Sequence, residues 1–323
     1  MSSDVLELLR AAGGYISGEK MAERLGVTRA AVWKKIAALR DAGYDISSAP
    51  RSGYALRSSP DRLIETEITR ELATRLIGQK VICYDAVNST NLVLKDLARA
   101  GAEDGTVVVA DSQGTGRGRM ERAFFSPPGK GIWVSILLRP TFLPQDAPKC
   151  TLMAAVAVAR AMEKFGLRAA IKWPNDIMYD GRKLVGILTE MSAEMDRVNY
   201  VVIGIGINVN IAPEDFPEEL RSVATSLMQM KGEPLPRVDF LQELLRALDA
   251  LYADVQCDGF ASVLTAWREY AVTLGQPVRV IAPAGEEFEG VAVDIDAEGA
   301  LLIETEAGQR RVLAGDVSIR PKK

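Results

Sequence analysis

A chain of 323 residues with 48% apolar composition exceeds what one small core needs and suits two or three domains of ordinary size. It contains no histidine, which excludes histidine triads, imidazole bases and histidine metal sites and leaves lysine, arginine, carboxylates and backbone to carry any chemistry. The net charge of −4 is uneven: residues 1–60 carry nine Lys/Arg against six Asp/Glu, and the remainder is acidic, which favours an anionic partner for the N-terminal part.

The first leucines are interleaved with Asp4, Glu7 and Arg10, a pattern that predicts an amphipathic helix over 4–11 and is unlike a signal peptide. A second helix is expected over 18–25, ended by Gly26, and a third runs from a Thr28 cap to about Ala42, stopped by Gly43. In the third, Val32, Ile36 and Leu39 form the inward stripe, so that Arg29, Lys34 and Lys35 project outward and Trp33, beside the stripe, is expected as half-buried packing. Residues 44–56 read as two short strands about the turn Pro50-Arg51-Ser52-Gly53. Two helices, a basic helix and a wing make a winged helix-turn-helix over residues 1–60. It would place Arg29, Lys34 and Lys35 against bases and phosphates of operator DNA and Arg51 on flanking backbone. A protein-docking module with a solvated basic face is the competing reading.

A polar break at Ser58-Ser59-Pro60 precedes a central part, residues 66–271, in which strands and helices mix without a regular βαβ repeat, arguing for an α+β fold. Strands are expected over 81–84, 106–110, 132–138, 177–179, 184–190 and 198–207, and helices over 90–100, 146–164, 238–254 and 259–270. Residues 272–323 read as short strands with turns at Gly285, Gly290, Gly299, Gly308 and Gly315, as in a small β-barrel. The longest uncharged apolar stretch, about Tyr200 to Pro213, is too short to span a bilayer, and the expectation is a soluble cytoplasmic protein with no membrane partner. Cys83, Cys150 and Cys257 are odd in number and far apart, which predicts buried free thiols.

Four segments carry chemistry. The loop Gln113-Gly114-Thr115-Gly116-Arg117-Gly118-Arg119-Met120-Glu121-Arg122 follows a strand and combines glycines, which let backbone N–H groups approach an anion, with three fixed positive charges. It is neither a Walker loop nor a Rossmann fingerprint, and a flexible surface loop remains the alternative. Lys172-Trp173-Pro174-Asn175-Asp176 leads into Asp180-Gly181, a two-residue type I′ turn. In the register that turn sets, Tyr179 opposes Arg182, Met178 opposes Lys183 and Ile177 opposes Leu184, bringing Asp176 and Lys183 to one face. An ordinary cross-strand ion pair is the plainer reading. Gly204-Ile205-Gly206-Ile207-Asn208 closes an apolar strand either as a point of close approach or as a bulged end. Ser89-Thr90-Asn91 precedes a helix and reads, by itself, as a plain N-cap.

Taken together and in order, the four segments resemble the biotin protein ligases, specifically those that double as the biotin operon repressor, and the resemblance covers nearly the whole chain. It implies a winged helix, a catalytic domain related to lipoate-protein ligases and similar to class II synthetases, and a C-terminal SH3-like barrel. By the same resemblance Ser89, Thr90, Asn91, Gln113, Arg117, Gly118, Arg119 and Lys183 contact biotin, with Lys183, Arg117 and Arg119 catalytic. Arg122 and Phe124 lie near the adenylate, and Lys172, Asn175, Asp176 and Asn208 belong to the ATP and metal side, Asp176 toward Mg²⁺. Phe124 stands where tryptophan is common, and Met120 and Glu121 stand where the family often has arginine and glycine. Trp173 and Trp267 also follow the family and are assigned packing roles first. The implied reaction joins the biotin carboxylate to the α-phosphate of ATP, releases pyrophosphate, and passes biotin from the mixed anhydride to a lysine of biotin carboxyl carrier protein. The resemblance also implies that the adenylate-bound form dimerises and binds operator DNA. A lipoate-protein ligase is opposed by the winged helix, the barrel and the Gly-Arg-Gly-Arg loop. A ligand-sensing transcription factor without catalysis is opposed by Lys183, Asp176 and Arg117.

Overall fold

The structure, a computed structural model, describes residues 3–116, 118, 123–281, 287–313 and 318–321. It divides into two compact units, Met1–Arg62 and Leu63–Lys323.

In the first unit, α1 (Ser3–Ala12), α2 (Gly18–Leu25) and α3 (Arg29–Asp41) precede a hairpin of β1 (Asp45–Ala49) and β2 (Gly53–Ser58). Ser17 and Thr28 cap α2 and α3 by accepting the N–H groups of Lys20 and Ala31, and Gly26 ends α2 in the left-handed region. Val5, Leu9, Met21, Val32, Ile36, Leu39 and Ile46 share one core, which fixes how α3 is rotated. The wing is tied to the rest by paired backbone bonds between Ile16 and Tyr54, both 2.9 Å. Gly53, at φ +98°, has no room for a side chain there, since a Cβ would lie 2.1 Å from the Ile16 carbonyl oxygen. Two expectations are corrected. Trp33 is not half-buried, because nothing in the unit packs over its flank of α3 and 63% of it is exposed. Lys35 does not project freely: it lies half-buried against α1, with Nζ 3.8 Å from the Asp4 carboxylate.

The second unit is built on a seven-stranded mixed sheet in the order β3-β4-β5-β9-β8-β7-β6. Its strands are β3 (Val81–Val87), β4 (Val107–Gln113), β5 (Gly131–Leu138), β6 (Ala170–Lys172), β7 (Asp176–Tyr179), β8 (Arg182–Ala193) and β9 (Val198–Asn208). Only the β3–β4 pair is parallel. After the short α4 (Glu65–Ile68), the helices are α5 (Thr90–Arg99), α6 (Lys149–Lys164), α7 (Leu227–Lys231), α8 (Arg237–Asp258) and α9 (Ala261–Tyr270). Alternation along the central strands divides the sheet's two faces. Ile132, Val134, Ile136, Val185, Ile187, Ile203, Ile205 and Ile207 enter a core with α6, α8 and α9. Val108, Leu137 and Val202 on the other face meet Leu94 and Ala98 of α5. Beyond the end of α5 that second face carries the glycines of β8 and β9, and the cavity described below lies over them.

The chain ends in a five-stranded sheet, ordered β13-β12-β11-β10-β14, of β10 (Pro277–Ile281), β11 (Glu287–Ile295), β12 (Leu301–Thr305), β13 (Gly308–Val312) and β14 (Ser318–Pro321). Val278, Val280, Ala292, Leu301 and Ile303 join the same apolar core as α6 and α8. The Trp173 indole N–H donates to the Gly299 carbonyl at 3.2 Å, and the Trp173 amide to Thr273 Oγ1 at 2.9 Å, so this tryptophan packs as expected and also fastens the terminal sheet. Trp267 is likewise buried. Gly290 lies inside β11, paired with Val278, and not in a turn; Gly285 and Gly315 lie outside the described residues. Of the thiols only Cys150 is fully buried: Cys83 is partly covered and Cys257 exposed. Burial pushes Cys83 up to about 12 and Cys150 higher still, so neither ionises near neutrality.

Candidate active site

The floor of the cavity is made by glycines. Gly186 opposes Gly206, and Leu188 opposes Gly204, across the β8–β9 ladder. A Cβ on Gly206 would stand 2.7 Å from the Phe124 ring, one on Gly186 2.8 Å from it, and one on Gly204 2.2 Å from Asn91 Oδ1. These residues therefore mark close approach by the protein's own side chains, and the strand end carries no bulge at that point. Phe124 lies across the pair Gly186 and Gly206 and meets Trp133 edge-on at 5.9 Å.

A bulge does occur in the facing hairpin. Asp180 and Gly181 take positive φ values of 49° and 72°, as a type I′ turn requires, and Met178 pairs with Lys183 as expected. Ile177 then pairs with Val185 and not with Leu184, so Leu184 is the extra residue. The consequence is positional. Lys183 and Gly186 are three apart and would face opposite sides of a regular strand, whereas the bulge puts both on the cavity face. A Cβ on Gly186 would sit 3.1 Å from Lys183 Nζ. Nζ is 2.6 Å from Asp176 Oδ1 and 5.7 Å from the centre of the Phe124 ring. The lysine backbone is held from outside the hairpin, donating to Val223 O at 2.7 Å and accepting from Thr225 N–H at 2.9 Å.

At the opposite end, the start of α5 is not a plain N-cap, because the Ser89 side chain makes no capping bond. Gln113 Oε1 accepts the Thr90 N–H at 2.9 Å. Buried Ser135 lies 2.7 Å from Thr90 Oγ1 and 2.6 Å from Asn91 Oδ1, while Thr90 Oγ1 is 3.2 Å from Gln113 Oε1. Two hydroxyl protons cannot serve three contacts, so the shortest pair sets the direction: Thr90 donates to Ser135, and Ser135 to Asn91. Asn91 Nδ2 donates to Glu190 Oε2 at 2.9 Å, and Lys95 is 2.7 Å from the other Glu190 oxygen. The orientation of the Asn91 amide follows from that network, since its oxygen must face the serine hydroxyl and its nitrogen the carboxylate.

These elements line one cavity of about 960 Å³. It brings together Ser89, Thr90, Asn91, Gln113, Gly118, Phe124, Lys172, Asn175, Asp176, Lys183 and Asn208. Arg117, Arg119, Arg122, Met120 and Glu121 lie outside the described residues. Asn175 and Asn208 face the cavity while their amides donate to Ile187 O at 2.8 Å and Thr225 O at 2.9 Å. Sequence reasoning missed Ser135, Glu190, Lys95 and Gly186, the 223–225 segment, and Thr273 and Gln276, which bring the terminal part to the rim. A serine inside the otherwise apolar run Ile132–Leu138 was the one available signal.

The segments that supply this cavity with neutral donors and acceptors at one end and a lysine–aspartate pair at the other fall within a stretch that a known protein family matches. The biotin/lipoate A/B protein ligase family matches residues 83–208, a helix-turn-helix domain matches 2–55, and the biotin protein ligase C-terminal domain matches 273–320. The bifunctional ligase/repressor BirA of Bacillus subtilis is 44% identical over 99% of this chain and 98% of its own. The chain belongs to the biotin protein ligase family. The Escherichia coli bifunctional ligase/repressor is 33% identical over 97% of the chain and 95% of its own. The biotin protein ligase of Aquifex aeolicus, solved with biotin and ATP, superposes with a TM-score of 0.66 at 28% identity, covering 76% of this chain and all of that one. Like its bifunctional relatives, this ligase joins a helix-turn-helix domain, a catalytic α+β part and a C-terminal β part in one chain.

Proposed function

We propose that the chain attaches biotin to a lysine of biotin carboxyl carrier protein through biotinyl-adenylate, and represses biotin-synthesis genes through its N-terminal unit. The convergence of the described site residues from four separate segments on one cavity carries this reading. Biotin has a neutral ureido head and an anionic tail. Thr90, Asn91 and Gln113 offer neutral hydrogen-bonding groups for the first, and Lys183 offers positive charge for the second. Neither step needs a protein nucleophile, which agrees with the lack of histidine.

What the first step needs is neutralisation, since two anions approach and charge builds on phosphate oxygens as pyrophosphate leaves. Lys183, held at both backbone groups and across an aromatic ring, is preorganised for it. Arg117 and Arg119 are assigned the same task, Arg122 and Phe124 the adenylate, and Lys172, Asn175 and Asn208 the ATP. The described residues contain no cluster of three metal-ligating side chains, but Mg²⁺ carried by phosphates needs only one or two carboxylates, and Asp176 fits that role. Bound there, Mg²⁺ would draw charge from the phosphates. Arg29, Lys34 and Arg51 are assigned to operator DNA, and Lys35 to its margin.

The division into functional parts is 1–60, 66–271 and 272–323, the last as an SH3-like barrel. The bulge between Ala292 and Asp294, in a strand that pairs on both sides, supports the curl such a barrel needs. We further assign a homodimer in the adenylate-bound state and a cytoplasmic location. No helix among the described residues is long and apolar enough to cross a membrane. The test is to supply biotin, lipoate or octanoate with MgATP and follow pyrophosphate release together with mass change on an apo carrier domain. Biotin alone should be transferred, and lipoyl transfer without biotinyl transfer would overturn the reading.

A further inference from the structure

We infer that Trp33 reads thymine in the major groove, as an apolar base contact between the exposed cations Arg29 and Lys34 of α3; this rests on the repressor reading of the N-terminal unit. The buried stripe Val32, Ile36 and Leu39 fixes the rotation of α3 and turns Trp33 outward, 63% exposed. The other three tryptophans of the chain, Trp133, Trp173 and Trp267, are each at most 1% exposed. An indole left in water beside a compact core is an uncommon cost for a soluble unit of this size. Trp33 follows Arg29 by one helical turn and adjoins Lys34, both exposed, so the apolar ring lies within a positive surface. Ala30 and Ala38 are also exposed on this helix, and their small side chains let it approach a groove floor closely. The ring also belongs to the N-terminal half of the helix, the part that reaches base edges when such a helix enters DNA. Cations on both sides argue against a neutral apolar protein groove and for a negatively charged one, and in a helix-turn-helix unit the phosphate-walled major groove is the one that fits. Within the major groove the apolar feature that distinguishes one base is the thymine methyl.

The test uses the full-length protein with biotin and MgATP and a duplex spanning the region upstream of the biotin-synthesis genes of its own genome. Thymines are replaced one at a time by uracil, which removes only the methyl. The wild type should lose about fourfold in affinity at one or more thymines, the value of one buried carbon. Trp33→Ala should bind at least several-fold more weakly and be indifferent to those same replacements, with an unchanged salt slope because no charge is lost. Trp33→Phe, which keeps an apolar ring, should retain most of the uracil sensitivity and guards against a folding defect in the alanine variant. Since the other indoles are buried, acrylamide quenching reports Trp33, and the duplex should suppress it. Wild-type affinity in Trp33→Ala, no uracil effect in the wild type, or quenching untouched by DNA would each overturn the inference while leaving the repressor reading in place. Failure of the wild type to bind the duplex in any salt-dependent manner would refute that reading and the inference together.

Discussion

Replacing Gly204 by alanine tests the glycine floor most severely. The new Cβ would lie 2.2 Å from Asn91 Oδ1, 2.8 Å from its Cγ and 3.0 Å from its Nδ2. The shortest of these is inside ordinary contact by about 1 Å. Asn91 has nowhere to go without loss, because its oxygen accepts from Ser135 at 2.6 Å and its nitrogen donates to Leu188 O at 3.3 Å and Glu190 at 2.9 Å. Turning the amide aside breaks these bonds at about 1 kcal/mol each, and moving β9 instead costs about 1–3 kcal/mol as overpacking. Either route predicts destabilisation of about 2–3 kcal/mol. Without the clash, Gly→Ala in an extended strand would be stabilising by about 0.4–1 kcal/mol through the unfolded chain, so the sign alone discriminates. Urea unfolding measures the stability, and biotin titration of the folded variant should show weakened binding. In an Asn91→Ala background the same substitution should cost less by about 2 kcal/mol, a coupling that identifies Asn91 as the obstacle. Equal stability and equal biotin affinity for Gly204→Ala and wild type would refute the steric account, and an undiminished cost in the double variant would move the cause to the strand.

Lys183→Ala should slow pyrophosphate release by roughly a hundredfold, since one preorganised charge contributes about 3 kcal/mol at such sites, while the unfolding midpoint stays near wild type; a wild-type rate would reduce Lys183 to a partner of Asp176. Lys34→Ala and Arg51→Ala should weaken DNA binding and flatten its salt dependence without changing stability, whereas Lys35→Ala, which loses the Asp4 pair, should also lower stability by less than about 1 kcal/mol. Filter binding over a salt series and thermal melts separate the three. Asp294 accepts a 2.7 Å bond from Arg268, and that bond, with the Ile295 N–H and the nearby guanidinium charge, holds its pKa below the ordinary carboxylate value. Its contribution is therefore complete above about pH 4 and is lost as pH falls through the lowered value. Asp294→Asn should flatten the acid limb of the stability–pH curve by less than about 1 kcal/mol, given the exposure of the pair.

How far the site could be read from sequence depended on whether its geometry is local. The Asp180-Gly181 turn is a two-residue matter, and its positive φ values followed from the residue types. The bulge at Leu184 did not, because Lys183, Leu184 and Val185 satisfy alternation equally well in either register until the core decides which two aliphatics it takes. Leu184 and Val185 are both buried, and that double burial forces Lys183 and Gly186 onto one face. The glycines of β9 signalled close approach, yet the approaching groups, Asn91 and Phe124, come from distant segments and carry no mark of the contact. The short β6, α4 and α7 were missed for the converse reason: a few residues hold too little periodicity to register, and neighbouring strands and helices define them. Trp33 shows the limit from the other side. A helical wheel places it next to the buried stripe, but whether a flank is covered depends on which elements the chain supplies to cover it. In this unit α1, α2 and the wing all pack on the stripe itself, leaving the indole to whatever the unit binds. Positions at which a pattern is satisfied locally and left open globally are thus the ones to which function is assigned here, the lysine brought round by a bulge and the tryptophan left uncovered by the fold.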